Sequence, residues 1–176
     1  MHPTQVLAIS GSLRAASLNS MLLRAAARLA PPLIHVRLYR DIGTLPLFNP
    51  DLERLDPPPV AALRGLIMGA DALLIASPEY AHGVSGVIKN ALDWMVGNES
   101  LVEKPVGLLN AAPRASIAQA ALRETLLTMS ARVVAAACVT LPILGSGLDE
   151  EGIVRHQELA PLLVAALSAL RSGCGR

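Results

Sequence analysis

The sequence predicts an α/β domain built on an open parallel sheet of five strands, in the order 2-1-3-4-5, with helices on both faces. Three observations carry that expectation. Short apolar runs bounded by turn residues alternate with longer segments whose apolar residues recur at i, i+3, i+4 and i+7. The 176 residues suit one hydrophobic core, and no linker, repeat or low-complexity tract divides them. The apolar fraction of 52% comes from Ala, Val, Ile and Leu, beside one Trp, two Tyr and one Phe, which favours sheet and helix packed in layers.

Val6 to Ser10 reads as the first strand, and Leu18, Met21, Leu22, Ala25, Ala26 and Leu29 follow at helical spacing until Pro31-Pro32 ends the helix. Ile34 to Arg40 alternates as a second strand. A loop rich in Pro and Asp then leads, through Pro57-Pro58-Pro59, to a helix near Val60 to Ala70. Ala72 to Ala76 is a wholly apolar third strand, and Val84, Val87, Ile88, Ala91, Leu92 and Met95 mark the buried face of the next helix. Val106 to Asn110 gives strand four, Ile117 to Met129 a helix, and Val133 to Leu141 strand five. Leu159, Leu162, Leu163, Ala166, Leu167 and Leu170 line the last helix. The domain is expected to span residues 1–171, with residues 172–176 a loose tail.

Composition excludes several function classes. The longest apolar stretches are broken by Arg14, Arg64, Arg123 or Arg132 before the ~20 residues that a membrane span needs. The segment Met1-His2-Pro3-Thr4-Gln5 lacks the basic and apolar regions of a secretion signal, so the cytoplasm is the expected location. Cys138 and Cys174 offer neither a disulfide framework nor zinc spacing, and no metal site is expected. A formal charge of +1 with dispersed basic residues leaves no footprint for nucleic acid or an anionic bilayer. A small-molecule partner is expected.

In a sheet of this order ligands bind beyond the carboxyl ends of the strands, which singles out the loops after strands one, three and four. The first, Ser10-Gly11-Ser12-Leu13-Arg14-Ala15-Ala16-Ser17-Leu18-Asn19, sets hydroxyls, an amide and a guanidinium before a helix N-terminus. That end attracts anions, and an arginine fork with hydroxyl donors suits a phosphate monoester. The same letters also read as a Ser17 helix cap and a solvated Arg14. Neither G-x-G-x-x-G nor the P-loop pattern occurs. The second loop, Ser77-Pro78-Glu79-Tyr80-Ala81-His82-Gly83, places one of few aromatic rings at the binding edge, where Tyr80 either meets a flat ligand or packs on a neighbouring helix. No catalytic pairing is evident around His82 or Glu79. Lys89, Asn90 and Asp93 read as a polar helix face, with Trp94 as core or subunit contact.

Ser10 to Asn19 resembles the G-S-L-R-x-x-S-x-N phosphate loop of the NADPH-dependent FMN reductase family, and Pro78 to Trp94 resembles its P-E-Y-N-x-x-x-P-x-x-L-K-N-A-x-D-W segment. Leu45 to Asp51 is similar to that family as well. The resemblance implies a flavodoxin-like fold, FMN as cofactor, NADPH or NADH as electron donor and a homodimer or homotetramer. Ser10, Ser12, Leu13, Arg14, Ser17 and Asn19 would surround the FMN phosphate. Pro78, Glu79, Tyr80, Ala81, His82 and Gly83 would border the flavin ring. The implied activity passes electrons from the nicotinamide through flavin to free flavin, a quinone, an azo compound or chromate. No side chain is expected to be an obligatory acid or base, because transfer between stacked rings needs proximity above all. A flavodoxin-like electron carrier, or a flavin-binding regulatory protein, is the alternative. Three departures stand out: Ala81 where the family often has Asn, Ser85 for a common Pro, and a third loop, Asn110 to Ala118, whose Ala115 and Ser116 replace paired glycines. Those replacements are expected to narrow that side of the pocket.

Overall fold

Strand β1 (Thr4–Ser10) lies between β2 (Ile34–Tyr39) and β3 (Ala72–Ala76) in the computed structural model, which describes residues 2–175. All pairings of the main sheet are parallel. Val6 faces Val36 on one side and Ala72 on the other, and β3 pairs with β6 (Pro105–Asn110) through Leu73 and Val106. The order is therefore β2-β1-β3-β6, with β6 as the fourth strand of the sheet. The fifth position is shared by β7 (Arg132–Val133) and β8 (Val139–Thr140), both paired with β6.

The expected single strand over Val133 to Leu141 is corrected here. A 3-10 turn at Ala135–Ala137 divides it, since three alanines bring little β-propensity and Ala137 pushes inward against Gly107. A Cβ at Gly107 would stand 3.0 Å from Ala137 Cβ, so glycine on β6 makes room for the turn.

Because β1, β3 and β6 are covered on both faces, their side chains divide between two cores. Leu7, Ile9, Leu73, Ile75, Val106 and Leu108 pack under α2 (Pro58–Gly69), α3 (Gly86–Asp93) and α4 (Ser116–Thr128). Val6, Ala8, Ala72, Leu74, Ala76 and Leu109 pack under α1 (Leu18–Arg28), α5 (Glu150–Arg155) and α6 (Leu159–Cys174). The strict alternation gives a three-layer sandwich.

Two elements were not expected. Helix α5 starts on Asp149, whose side chain accepts from Gly152 N at 2.7 Å, and its Glu150 and Glu151 pair with Arg24 and Arg28 of α1. A hairpin of β4 (Glu79–Tyr80) and β5 (Gly83–Val84) precedes α3. Helix α6 also runs on through Cys174, so Ser172–Cys174 is helical where a loose tail was expected; residue 176 lies outside the described residues. Among the described residues no helix is long and apolar enough to cross a membrane.

Trp94 is core. It is 3% exposed, donates from Nε1 to Pro46 O at 2.8 Å and meets Phe48 edge-on at 5.1 Å between ring centroids. Asn90 closes the same contact, accepting from Phe48 N and donating to Pro46 O. Lys89 and Asp93 form an exposed pair one turn apart.

Candidate active site

A cleft of ≈ 350 Å³ opens at the carboxyl ends of β1, β3 and β6, between the three expected loops. Close approach of the first two depends on Gly11. A Cβ there would lie 2.5 Å from Ser77 Oγ and 2.8 Å from Ser85 Oγ, while its N–H donates to Ala76 O. Ser85, the residue in place of Pro, caps α3 by accepting from Ile88 N.

The first loop is tied to itself through hydroxyls. Ser17 caps α1, accepting from Ser20 N at 3.2 Å, and Ser12 Oγ accepts from Arg14 N. Each of these hydroxyls thus uses a lone pair on backbone and keeps its proton for a ligand. The Arg14 guanidinium, on the cleft wall, has no partner among the described residues. Asn19 is 8% exposed and faces the cleft; its Oδ1 is the buried side-chain polar atom left without a hydrogen bond among the described residues. Such an atom is costly unless a ligand or water completes it.

The second loop is anchored by Glu79. Oε2 accepts from Ala118 N at 2.8 Å, in the first turn of α4, and Oε1 meets His82 Nδ1 at 3.1 Å. The Ala118 N–H foremost, and then His82, hold the Glu79 carboxyl below the usual carboxylate range. Glu79 thereby balances the positive end of α4 and fixes the hairpin to that helix. Tyr80, 60% exposed, stands at the cleft mouth.

The third loop is shaped by Asn110, which donates to Ala115 O and accepts from Ala112 N. Ala111, Ala112 and the buried Ala115 put methyl groups on that wall, Ala115 as expected, whereas Ser116 borders a separate hollow outside the cleft. Beside them lies Arg114, a second guanidinium without a partner among the described residues.

The structure therefore brings Ser12, Arg14, Ser17, Asn19, Pro78, Glu79 and Tyr80 together in the cleft. Ser10 and Leu13 border instead a second cavity behind the first loop, where Leu13 lies over Gly43. Ala81, His82 and Gly83 form the turn and outer strand of the hairpin, outside the cleft. Sequence reasoning missed Leu144, half-exposed at the cleft beside the third loop and held by its N–H to Ala111 O at 2.9 Å. An apolar residue before Gly145-Ser146-Gly147 was its one visible signal.

Comparison with known proteins agrees with this arrangement. Residues 4–143 match the model of the NADPH-dependent FMN reductase family. An NAD(P)H-dependent FMN reductase of Pseudomonas aeruginosa is 37% identical over 173 residues, 95% of this chain and 93% of that protein. An NADPH:quinone oxidoreductase of Arabidopsis thaliana is 44% identical over 112 residues, 60% of this chain and 57% of the plant protein. Among solved structures, the flavoenzyme NAD(P)H:(acceptor) oxidoreductase FerB of Paracoccus denitrificans superposes with a TM-score of 0.73 at 28% identity, covering 97% of this chain and 98% of the other. With a flavodoxin-like sheet, a cleft at its switch point and a family match across most of its length, the chain belongs to the NADPH-dependent FMN reductase family.

Proposed function

We propose that this chain is an FMN-dependent oxidoreductase that takes electrons from NAD(P)H and delivers them to a small acceptor, with quinones the class favoured by its relatives. The observation that carries this reading is the family match over residues 4–143 together with a cleft whose free donors suit a phosphorylated flavin.

The residues fit FMN. A phosphate monoester needs donors and positive charge, which the protons of Ser12 and Ser17, the Arg14 guanidinium and the N-terminus of α1 provide. The unpartnered Asn19 Oδ1 needs a donor in turn, and the polyol chain of FMN carries hydroxyls. Pro78, Glu79 and Tyr80 would border the ring, with Tyr80 on its open side. Bound FMN would supply the two-electron relay between nicotinamide and acceptor. The chain's own residues hold and orient it: Gly11 sets the spacing of the first two loops, Glu79 fixes the second to α4, and the alanines of the third limit access. His82, its side chain 75% exposed and outside the cleft, is assigned no catalytic role.

We place this activity in the cytoplasm, where both cysteines, free in the structure, would stay reduced. A homo-oligomer is supported by exposed Leu47, Leu55 and Val96 on segments that adjoin, since Gly97 lies against Glu53. Sedimentation showing a monomer at micromolar concentration would remove that part.

The test is an absorbance titration. Purified protein should take up FMN, bleach on anaerobic addition of NADPH or NADH, and recolour with a benzoquinone. FMN uptake without bleaching would favour an electron carrier, and no uptake would refute the reading.

A further inference from the structure

Behind the first loop lies a cavity of ≈ 410 Å³ at the carboxyl ends of β1 and β2, sharing Ser12 and Arg14 with the flavin cleft. Three arginines border it, Arg14, Arg24 and Arg40, and no Asp or Glu does. Arg40 directly follows β2, is exposed, and has no partner among the described residues. Arg24 is fixed by Glu150, which accepts from its Nε at 2.6 Å, so its terminal nitrogens are held in place without being consumed.

Hydroxyl residues Ser10, Ser12, Ser20 and Tyr39 border the cavity beside the apolar Ala8, Leu23, Leu38 and Ile42. Ser10 Oγ accepts from Ser12 N at 3.3 Å and from Ser20 Oγ at 2.8 Å, so its own proton is left to donate. Tyr39 is 8% exposed and borders the cavity, and its hydroxyl has no hydrogen-bond partner among the described residues. Burial, and after it the charge of Asp41, raise the Tyr39 pKa, which keeps that hydroxyl a donor at neutral pH. Asp41 and Glu150 are the carboxylates that flank this group; Glu150 is already paired with Arg24 and Arg28.

We propose that this cavity binds a phosphate monoester, with Arg40 as its principal ligand and Arg24 and Tyr39 in support, and that its occupant during turnover is the 2′-phosphate of NADPH. With Arg14 committed to the flavin phosphate, Arg40, the terminal nitrogens of Arg24 and the hydroxyls of Ser10 and Tyr39 still offer more donors than acceptors, which suits an anion. The assignment to NADPH rests on the reductase reading above. It makes Arg40 the residue that separates NADPH from NADH.

The experiment has two arms. In the first, inorganic phosphate and adenosine 2′-monophosphate are titrated calorimetrically into protein saturated with FMN, so that the flavin cleft is filled, for wild type, Arg40→Ala and Arg40→Lys. Wild type should bind both ligands, Arg40→Ala should weaken each about tenfold or more, and Arg40→Lys should keep part of the affinity. The second arm compares kcat/KM for NADPH and NADH with a quinone acceptor. Arg40→Ala should lower the NADPH value by a similar factor and leave the NADH value within about twofold. Loss of phosphate binding with an unchanged NADPH-to-NADH ratio would support the anion site, with a free phosphate ester as its source, and overturn the NADPH assignment. Wild type binding neither ligand more tightly than Arg40→Ala overturns the site itself. Because the first arm needs no turnover, it reads the site even if the chain proves not to be a reductase.

Discussion

Ala81 and His82 both have positive φ, 50° and 60°, at the turn between β4 and β5. A two-residue hairpin loop of this kind wants Asn or Gly, because a Cβ crowds the following carbonyl in the left-handed region. Neither occurs in Tyr80-Ala81-His82, which is why the hairpin was not legible in the sequence. The absence of Asn at 81 was readable as the loss of an amide beside the flavin, but the geometry makes it first a matter of backbone strain. Ala81→Asn should therefore stabilise the protein by about 1 kcal/mol, raising Tm by roughly 2–4 °C. Thermal unfolding of the two proteins without added flavin checks this, and an equal or lower Tm for the variant would refute it. Trp94 teaches a related lesson. An apolar ring among polar residues fits core and interface equally, and only its bond to Pro46 O, 48 positions away in the chain, decides between them.

Among the elements, periodicity located α1, α2, α3, α4 and α6, because each buries one face and so repeats its apolar residues. It failed where burial does not alternate. Val133 to Val139 is apolar throughout, so a strand interrupted at Ala135–Ala137 looks the same as a continuous one. Helix α5 escaped because its six residues are too few to show a period and its hold on α1 is ionic. The hairpin depends on a charge in a comparable way, through Glu79 and the first turn of α4. Since the folded state depresses the Glu79 pKa, the stabilisation is fully present above the ordinary glutamate value of about 4.3 and is lost as pH falls through the lower folded value. Glu79→Gln keeps the shape without the titration. The Tm gap between wild type and this variant should be constant from pH 7 to about pH 5 and shrink on further acidification. A gap that persists unchanged at pH 3 would show that Glu79 holds the hairpin by shape alone.

At the scale of the whole molecule, the cleft was legible because topology fixes it: the carboxyl ends of β1, β3 and β6 converge whatever their loops contain. Leu144 was not, since it enters from a loop whose path depends on packing far along the chain. A ligand that bridges three loops stabilises the entire fold, and this allows the phosphate loop to be tested without an assay of turnover. FMN at a hundred times its Kd should add about 2.7 kcal/mol, a rise of roughly 5–11 °C in Tm. A charged hydrogen bond is worth about 1.5–3 kcal/mol, so loss of the Arg14 contact should weaken binding about tenfold to hundredfold. At the same concentration riboflavin, which lacks the phosphate, should then add only about 0.4–1.4 kcal/mol. Arg14→Ala with FMN should resemble wild type with riboflavin. Arg14→Ala with riboflavin should fall no further, because the guanidinium and the phosphate are two halves of one interaction. Four melting curves complete the cycle. If the losses from removing the phosphate and from removing the guanidinium simply add, Arg14 does not hold the phosphate, and the first loop is an ordinary capped helix start with a solvated arginine.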